Sequence, residues 1–219
     1  MNKKNKIYLS FILAFGISAI IFVILGGIVL DGFVDENGKQ LFPTLSKVFG
    51  FIGIGMLVIL LIYAIVQRAY INNQQKLIGK AMTDYIKENK YDELIAYLNM
   101  QINKRFIASI VIVCKLNLVV AYMLKEDNSA ARELLFNTKW GAFSPHTYYY
   151  KLVFYLADND IDSAKNEYHK LVNTKRKIKA QLQQANKLID MVETNIYNEE
   201  VENNTKLPIV KQICNRYKK

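Results

Sequence analysis

Uncharged, mostly apolar residues fill the first third of the chain in two blocks. Residues 7–30, between Lys6 and Asp31, form a run of 24 positions without a charge, and residues 48–67, between Lys47 and Arg68, a run of 20. As helices these reach about 36 and 30 Å, against a bilayer hydrocarbon core of roughly 30 Å, with every interior backbone group paired inside its own helix. The pattern predicts a transmembrane helical hairpin: spans at 7–30 and 48–67 and a connecting loop at 31–47 with an Asn37-Gly38 turn signal and Pro43. A cleaved signal peptide is the competing reading of the first block, because Lys3, Lys4 and Lys6 precede small residues at Ser18 and Ala19. The run continues to Leu30, well past the about 7–15 residues of a signal core, which favours a span.

A third apolar run, Phe106–Leu124, is interrupted by Ser109, Lys115 and Asn117. Lys115 near its centre would cost about 2.5–3.5 kcal/mol in a bilayer, and a third span would carry the basic remainder of the chain outward. A buried helix of a water-soluble domain is the preferred reading, with a third span kept as the alternative.

From residue 67 onward the periodicity is helical throughout. Apolar residues recur at spacings of three and four, as in Leu94, Leu98 and Ile102, and glycine occurs only at Gly79 and Gly141. Helices are expected near 70–88, 91–102, 105–125, 129–139, 145–157, 161–173, 176–197 and 207–217. Asp127 or Asn128, Ser144 ahead of Pro145, and Asp160 supply helix-start signals. No helix breaker separates the second span from the 70–88 helix, so the two are expected to run into one another. The fold class is all-α, organised as 1–68, 69–175 and 176–219.

Within the middle segment the chain repeats itself. Tyr122, Asp127 and Ala131 recur 33 residues later as Tyr155, Asp160 and Ala164, and a weaker copy with Tyr85, Lys90 and Leu94 precedes them. Each unit reads as a helix, a short polar turn and a second helix with a small residue at the crossing, where a side chain must be small for two helices to approach. This pattern resembles the tetratricopeptide repeat, carried by Leu118, Ala121, Tyr122 and Ala131 and again by Tyr148, Tyr155, Ala164 and Tyr168. Val119 and Lys151-Leu152 stand where that family usually has glycine or alanine, and no proline closes either copy. The resemblance implies a short α-solenoid whose first helices line a concave face that binds a protein partner.

Candidate residues for that face are Tyr148, Tyr149, Lys151 and Tyr155, with Tyr149 and Lys151 expected to be the exposed pair and most neighbouring aromatics expected in helix contacts. Ile178, Leu182, Ala185, Ile189, Val192 and Ile196 form a stripe of under three heptads, which suits a helix capping the solenoid better than a dimer seam.

Composition and charge narrow the reading. The chain is 52% hydrophobic with a mean hydropathy of +0.06, which excludes wholesale disorder, and its two cysteines, Cys114 and Cys214, make neither a disulfide framework nor a zinc spacing. Net charge is +10, and 24 Lys/Arg stand against 16 Asp/Glu beyond residue 66. The flanks of the apolar blocks carry Lys3, Lys4 and Lys6 on one side and Arg68, Lys76 and Lys80 on the other, so both termini are expected in the cytoplasm, at a plasma (inner) membrane.

Lys170, Lys175, Arg176, Lys177 and Lys179 form a basic run that reads as a solvated helix face or as a contact with anionic membrane lipid, with nucleic acid the least favoured partner. Asp158, Asp160 and Asp162 alternate, but the glycine and distal glutamate of a calcium loop are missing, and a turn-and-cap role is preferred. His146 and His169 have no partners at ligand or catalytic spacing, and no phosphate-loop, dinucleotide or nucleophile-elbow pattern occurs. No enzyme, metal or cofactor is expected. The expected function is a membrane-anchored protein-interaction scaffold, the alternative an accessory subunit of a transporter or other membrane complex held through its spans; homo-oligomerisation stays open.

Overall fold

The computed structural model describes residues 3–25, 32, 33, 36, 37, 39, 43–104, 107–174 and 178–218. Among these residues the chain is all-helical, without strands. Ten α-helices follow in order: α1 Lys3–Ile24, α2 Pro43–Lys87, α3 Tyr91–Lys104, α4 Ala108–Leu124, α5 Asn128–Asn137, α6 Ser144–Ala157, α7 Ile161–Val172, α8 Lys179–Thr194, α9 Glu199–Asn203 and α10 Pro208–Asn215. They fall into two compact units, residues 1–77 with 106–108, and residues 78–105 with 109–219.

Helix α2 is a single helix of 45 residues, so the expected 48–67 and 70–88 helices are one; its residues up to Leu77 belong to the first unit and those from Ile78 to the second. It opens at Pro43, whose missing N–H is no loss in a first turn. Of the described helices, α2 is the one long and apolar enough to cross a membrane; its most apolar 18-residue window has a mean hydropathy of 2.7 and is 6% buried. The first block is helical over Lys3–Ile24. Residues 26–30, which would complete the expected span, and 31, 34, 35, 38 and 40–42 of the expected loop lie outside the described residues, while 43–47 of that loop already belong to α2.

Helices α1 and α2 meet where sequence small residues allow it. A Cβ added to Gly53 would lie 2.6 Å from Val23 Cγ2, 2.7 Å from Val23 N and 3.1 Å from the Ala19 carbonyl oxygen, so only glycine fits. Ala19 is fully buried there, and Phe22 stacks on Phe49 with ring centroids 5.5 Å apart. Ser18 takes no part in this seam through its hydroxyl, which donates back to the Ala14 carbonyl at 2.9 Å.

The second unit is built from one corner made three times. The amides of Lys90, Asp127 and Asp160 donate to the carbonyls of Tyr85, Tyr122 and Tyr155 at 2.9, 3.0 and 2.9 Å. One residue earlier, Asn89, Glu126 and Asn159 adopt left-handed φ values of 55, 66 and 61° and donate to Ile86, Met123 and Leu156. This is the Schellman arrangement, which supplies partners to carbonyls left open at a helix end. The next helix then starts identically, with Leu94, Ala131 and Ala164 donating to Lys90, Asp127 and Asp160 at 3.1 Å each. All three of those residues are fully buried, at the crossing where a small or branched apolar residue is required.

The caps agree with the sequence in two places and differ in one. Asp127 Oδ1 accepts from the Ala130 amide and Asp160 Oδ1 from the Ser163 amide. Ser144 is not a cap: α6 is preceded by a 3-10 turn, Gly141–Phe143, and the Ser144 hydroxyl donates to the Gly141 carbonyl at 2.8 Å instead. The turn redirects the chain, so Ser144 is already in the helix when Pro145 follows.

The run read either as a span or as a buried helix is α4, which buries Ile110, Cys114, Leu118, Val119, Ala121, Met123 and Leu124 inside the second unit. Lys115, half-buried, sits off that face. Helix α6 is central: α5, α7, α8, α10 and the 3-10 turn all pack on it. Leu152, Val153, Phe154 and Leu156 of α6 join Leu135, Leu171, Leu188, Met191, Val210 and Ile213 in one core. The stripe on α8 buries Ala185 and Ile189, but α8 stops at Thr194 because Asn195 turns left-handed, leaving Ile196 outside and exposed. Beyond it α9, which hydrophobic periodicity did not reveal, packs on α8.

Candidate protein-binding face

Successive corners are tied by ion pairs between a turn residue and the second helix of the preceding hairpin. Lys125, in the second turn, donates to Asp92 of α3 at 2.5 Å. Asp158, in the third, takes a two-pronged contact from the Arg132 guanidinium of α5. Lys125 and Asp158 occupy the same place in their turns with opposite signs, while their partners sit at different places on the second helix, Asp92 two residues before the crossing residue Leu94 and Arg132 one residue after Ala131. Arg132 also lies over the Phe136 and Phe154 rings at 5.8 and 5.6 Å, and Asp158 holds its guanidinium more firmly protonated.

The four residues expected to line a partner-binding wall separate on α6. Tyr149 is 3% exposed, so it belongs to the core and is no part of an exposed pair with Lys151. The reason is the crowding of α6: its turn-by-turn positions 149, 152, 153 and 156 all face neighbouring helices. Burial, followed by the charges of Tyr150 and Cys214, pushes the Tyr149 phenol well above its ordinary range, and its hydroxyl has no hydrogen-bond partner among the described residues.

Tyr148, Lys151 and Tyr155 are half-buried. Lys151 Nζ sits 5.3 Å from the Phe136 centroid, and the Tyr155 ring meets Phe136 edge-on at 5.6 Å. Among the described residues no carboxylate lies within ion-pair distance of Lys151, so this edge of α5 and α6 presents a cation supported by aromatic rings.

Lys170 joins this neighbourhood. It donates to Glu167 Oε1 at 2.6 Å; that carboxylate, with lesser help from Tyr148 and Tyr155, raises the lysine pKa. Glu167 is buried, and its Oε2 has no partner among the described residues. Of the rest of the basic run, Lys179 is exposed at the start of α8, while Lys175, Arg176 and Lys177 lie outside the described residues. The alternating aspartates serve three separate purposes: Asp158 pairs with Arg132, Asp160 caps α7, and Asp162 lies in the first turn of α7. Hydrogen bonding by the Ser163 side chain, followed by the cap bond from its amide, lowers the Asp160 pKa. No group of three His, Cys, Asp or Glu among the described residues is placed to hold a metal.

Two residues that the sequence did not single out shape this face. Phe136 organises Arg132, Lys151 and Tyr155, and only its place at the end of α5 hinted at a contact with α6. Arg216 closes the end of α6, donating to the Leu156 carbonyl at 3.2 Å, the Ala157 carbonyl at 2.7 Å and Asn159 Oδ1 at 2.8 Å. These partners are 57 to 60 residues away in the chain, beyond the reach of any local pattern.

No protein family, characterised protein or solved structure matches this chain.

Proposed function

We propose that this protein is a membrane-anchored interaction scaffold. In this reading α1 and the first half of α2 form a transmembrane hairpin in the plasma (inner) membrane, with both ends of the chain in the cytoplasm. The hairpins beyond it make a short tetratricopeptide-like solenoid that holds a protein partner against the outer edge of α5 and α6.

The observation that carries the reading is the threefold recurrence of one hydrogen-bonded corner at Tyr85–Leu94, Tyr122–Ala131 and Tyr155–Ala164. Stacked identical hairpins produce extended faces suited to proteins, and the residues left half-exposed there, Tyr148, Lys151 and Tyr155, are of interface-forming types. Membrane anchoring draws support from α2, where Phe51 is 75% exposed and Leu61 62%. Such side chains gain about 1.5–3 kcal/mol each on leaving water, and none of the described residues covers them. Lys170 and Lys179, with the three basic residues between them, would favour anionic lipid nearby.

In-membrane crosslinking of the full chain followed by mass spectrometry tests this, with Lys151→Glu as the paired variant. Crosslinks from 145–170 to a soluble or peripheral protein, diminished in the variant, are expected. Crosslinks confined to residues 7–67 and indifferent to the variant would instead make the protein a subunit held in a membrane complex through its spans.

A further inference from the structure

Helices α5, α6 and α7 carry four lysine or arginine residues, Arg132, Lys151, Lys165 and Lys170. Three of them have a carboxylate: Arg132 pairs with Asp158, Lys165 with Glu193 at 2.5 Å and Lys170 with Glu167 at 2.6 Å. Lys151 has none among the described residues, and α6 itself contains no aspartate or glutamate. It is also half-buried, so its ammonium is partly withdrawn from water without a counter-charge to offset the loss.

Phe136 sits beside two of these cations. Arg132 Cζ lies 5.8 Å from its ring centroid and Lys151 Nζ 5.3 Å. A ring face attracts a cation but brings no net charge, so Asp158 neutralises the first and no described residue neutralises the second. Tyr148, Lys151 and Tyr155, at i, i+3 and i+7, share one side of α6, away from the buried Tyr149, Val153 and Leu156. Each phenol can donate a hydrogen bond, as the ammonium can, so this side presents donors around one open positive charge. Arg132, whose planar fork would suit a phosphate, is already engaged with Asp158 by two prongs; the single ammonium that is left suits a carboxylate. Beyond residue 66, the excess of 24 Lys/Arg over 16 Asp/Glu draws an acidic partner inward before contact.

Building on the scaffold reading, we propose that the α5/α6 edge recognises an acidic segment of a different protein, whose aspartate or glutamate carboxylate is set on Lys151 between Tyr148 and Tyr155. The surrounding rings keep water from that pair, which makes it stronger than an ion pair in open solvent.

Carbodiimide coupling reads this contact directly, because it joins a lysine amine to a carboxylate only where the two already meet. The full chain in its membrane is treated with carbodiimide and the products are mapped by mass spectrometry. The amide between Lys165 and Glu193, both partly exposed, is the internal control for a folded unit. Lys151 is expected in an amide with an aspartate or glutamate of another polypeptide. Lys151→Glu should reduce partner crosslinks from 145–170 at least about tenfold, while Lys151→Arg, which keeps the charge, should hold them within about threefold. The Lys165–Glu193 amide should persist in both variants.

Partner crosslinks from 145–170 with no amide at Lys151, and equal yields in the two variants, would leave the scaffold reading standing and overturn this inference. A phosphoramidate at Lys151 would make phosphate the ligand, and an amide between isotope-labelled and unlabelled copies would make a second copy the occupant; either overturns the acidic partner. An amide from Lys151 to an integral membrane subunit that also crosslinks to residues 7–67 would sink the scaffold reading and keep the carboxylate contact.

Discussion

Replacing Tyr149 by phenylalanine should make the protein more stable. Its hydroxyl is buried in the core and has no partner, and a buried hydroxyl without a hydrogen bond costs about 1–3 kcal/mol relative to water. Removing it leaves a gap of only a few Å³, worth roughly 0.1–0.3 kcal/mol at the usual cavity penalty. The net gain expected is about 1 kcal/mol, or roughly 2–4 °C in the midpoint of a domain of this size.

Urea unfolding of the full chain in mild detergent, followed by fluorescence, measures it. Trp140 is the sole tryptophan, is buried in the same core, and donates its indole N–H to the Leu135 carbonyl at 2.7 Å, so its emission reports this unit.

A pH series supplies a second readout. Desolvation raises the Tyr149 pKa in the folded state, so its share of stability is complete below the unfolded value near 10 and is lost as pH rises beyond it. The wild-type protein should therefore lose about 1.4 kcal/mol per pH unit from this group above roughly pH 10. Tyr149→Phe should lack that component, while the similarly raised Tyr150 keeps its own. A variant destabilised by 1 kcal/mol or more would show that the hydroxyl is hydrogen-bonded, and an unchanged alkaline limb that it is not desolvated; either refutes the reasoning.

Two further substitutions probe the two units separately. Gly53→Ile places a side chain where even a Cβ would lie 2.6 Å from Val23, so α1 must move away from α2. With both native cysteines replaced by serine, a short thiol crosslinker should join Phe22→Cys to Phe49→Cys, and Gly53→Ile should abolish the product; unchanged yield would disprove the seam. Ala164→Leu overpacks a fully buried crossing and should cost about 1–3 kcal/mol in the urea assay, against less than 0.5 for Asn166→Leu on the exposed side of the same helix. Equal costs at the two positions would mean that the crossing at Ala164 is not close-packed.

Much of the helical layout was readable because it rests on local rules. Asp127 and Asp160 cap through side chains three residues from their targets, and the 33-residue recurrence of Tyr122, Asp127 and Ala131 marks a corner whose hydrogen bonds all close within ten residues. Local rules miscarried where a second signal competed. Ser144 has the composition of a cap but falls one turn late behind the 3-10 segment, and Ile196 continues a spacing of apolar residues past Asn195, where the backbone has already turned. Helix α9 is too short for its single buried residue, Val201, to establish a period.

The candidate face was less legible for a different reason. Tyr148, Tyr149, Lys151 and Tyr155 are adjacent in the chain, and one helix can present each of them to solvent; which ones it does present depends on what packs around it. Residue type and spacing were enough to establish the apolar blocks, the helical periodicity, the repeated corner and the basic charge, since each depends on neighbours within a few turns. The burial of Tyr149, the pairing of Arg132 with Asp158 and the closure of α6 by Arg216 depend on helices brought together across 26 to 60 residues. Helices pack by filling the space left between them, and that space exists only once the whole unit has folded.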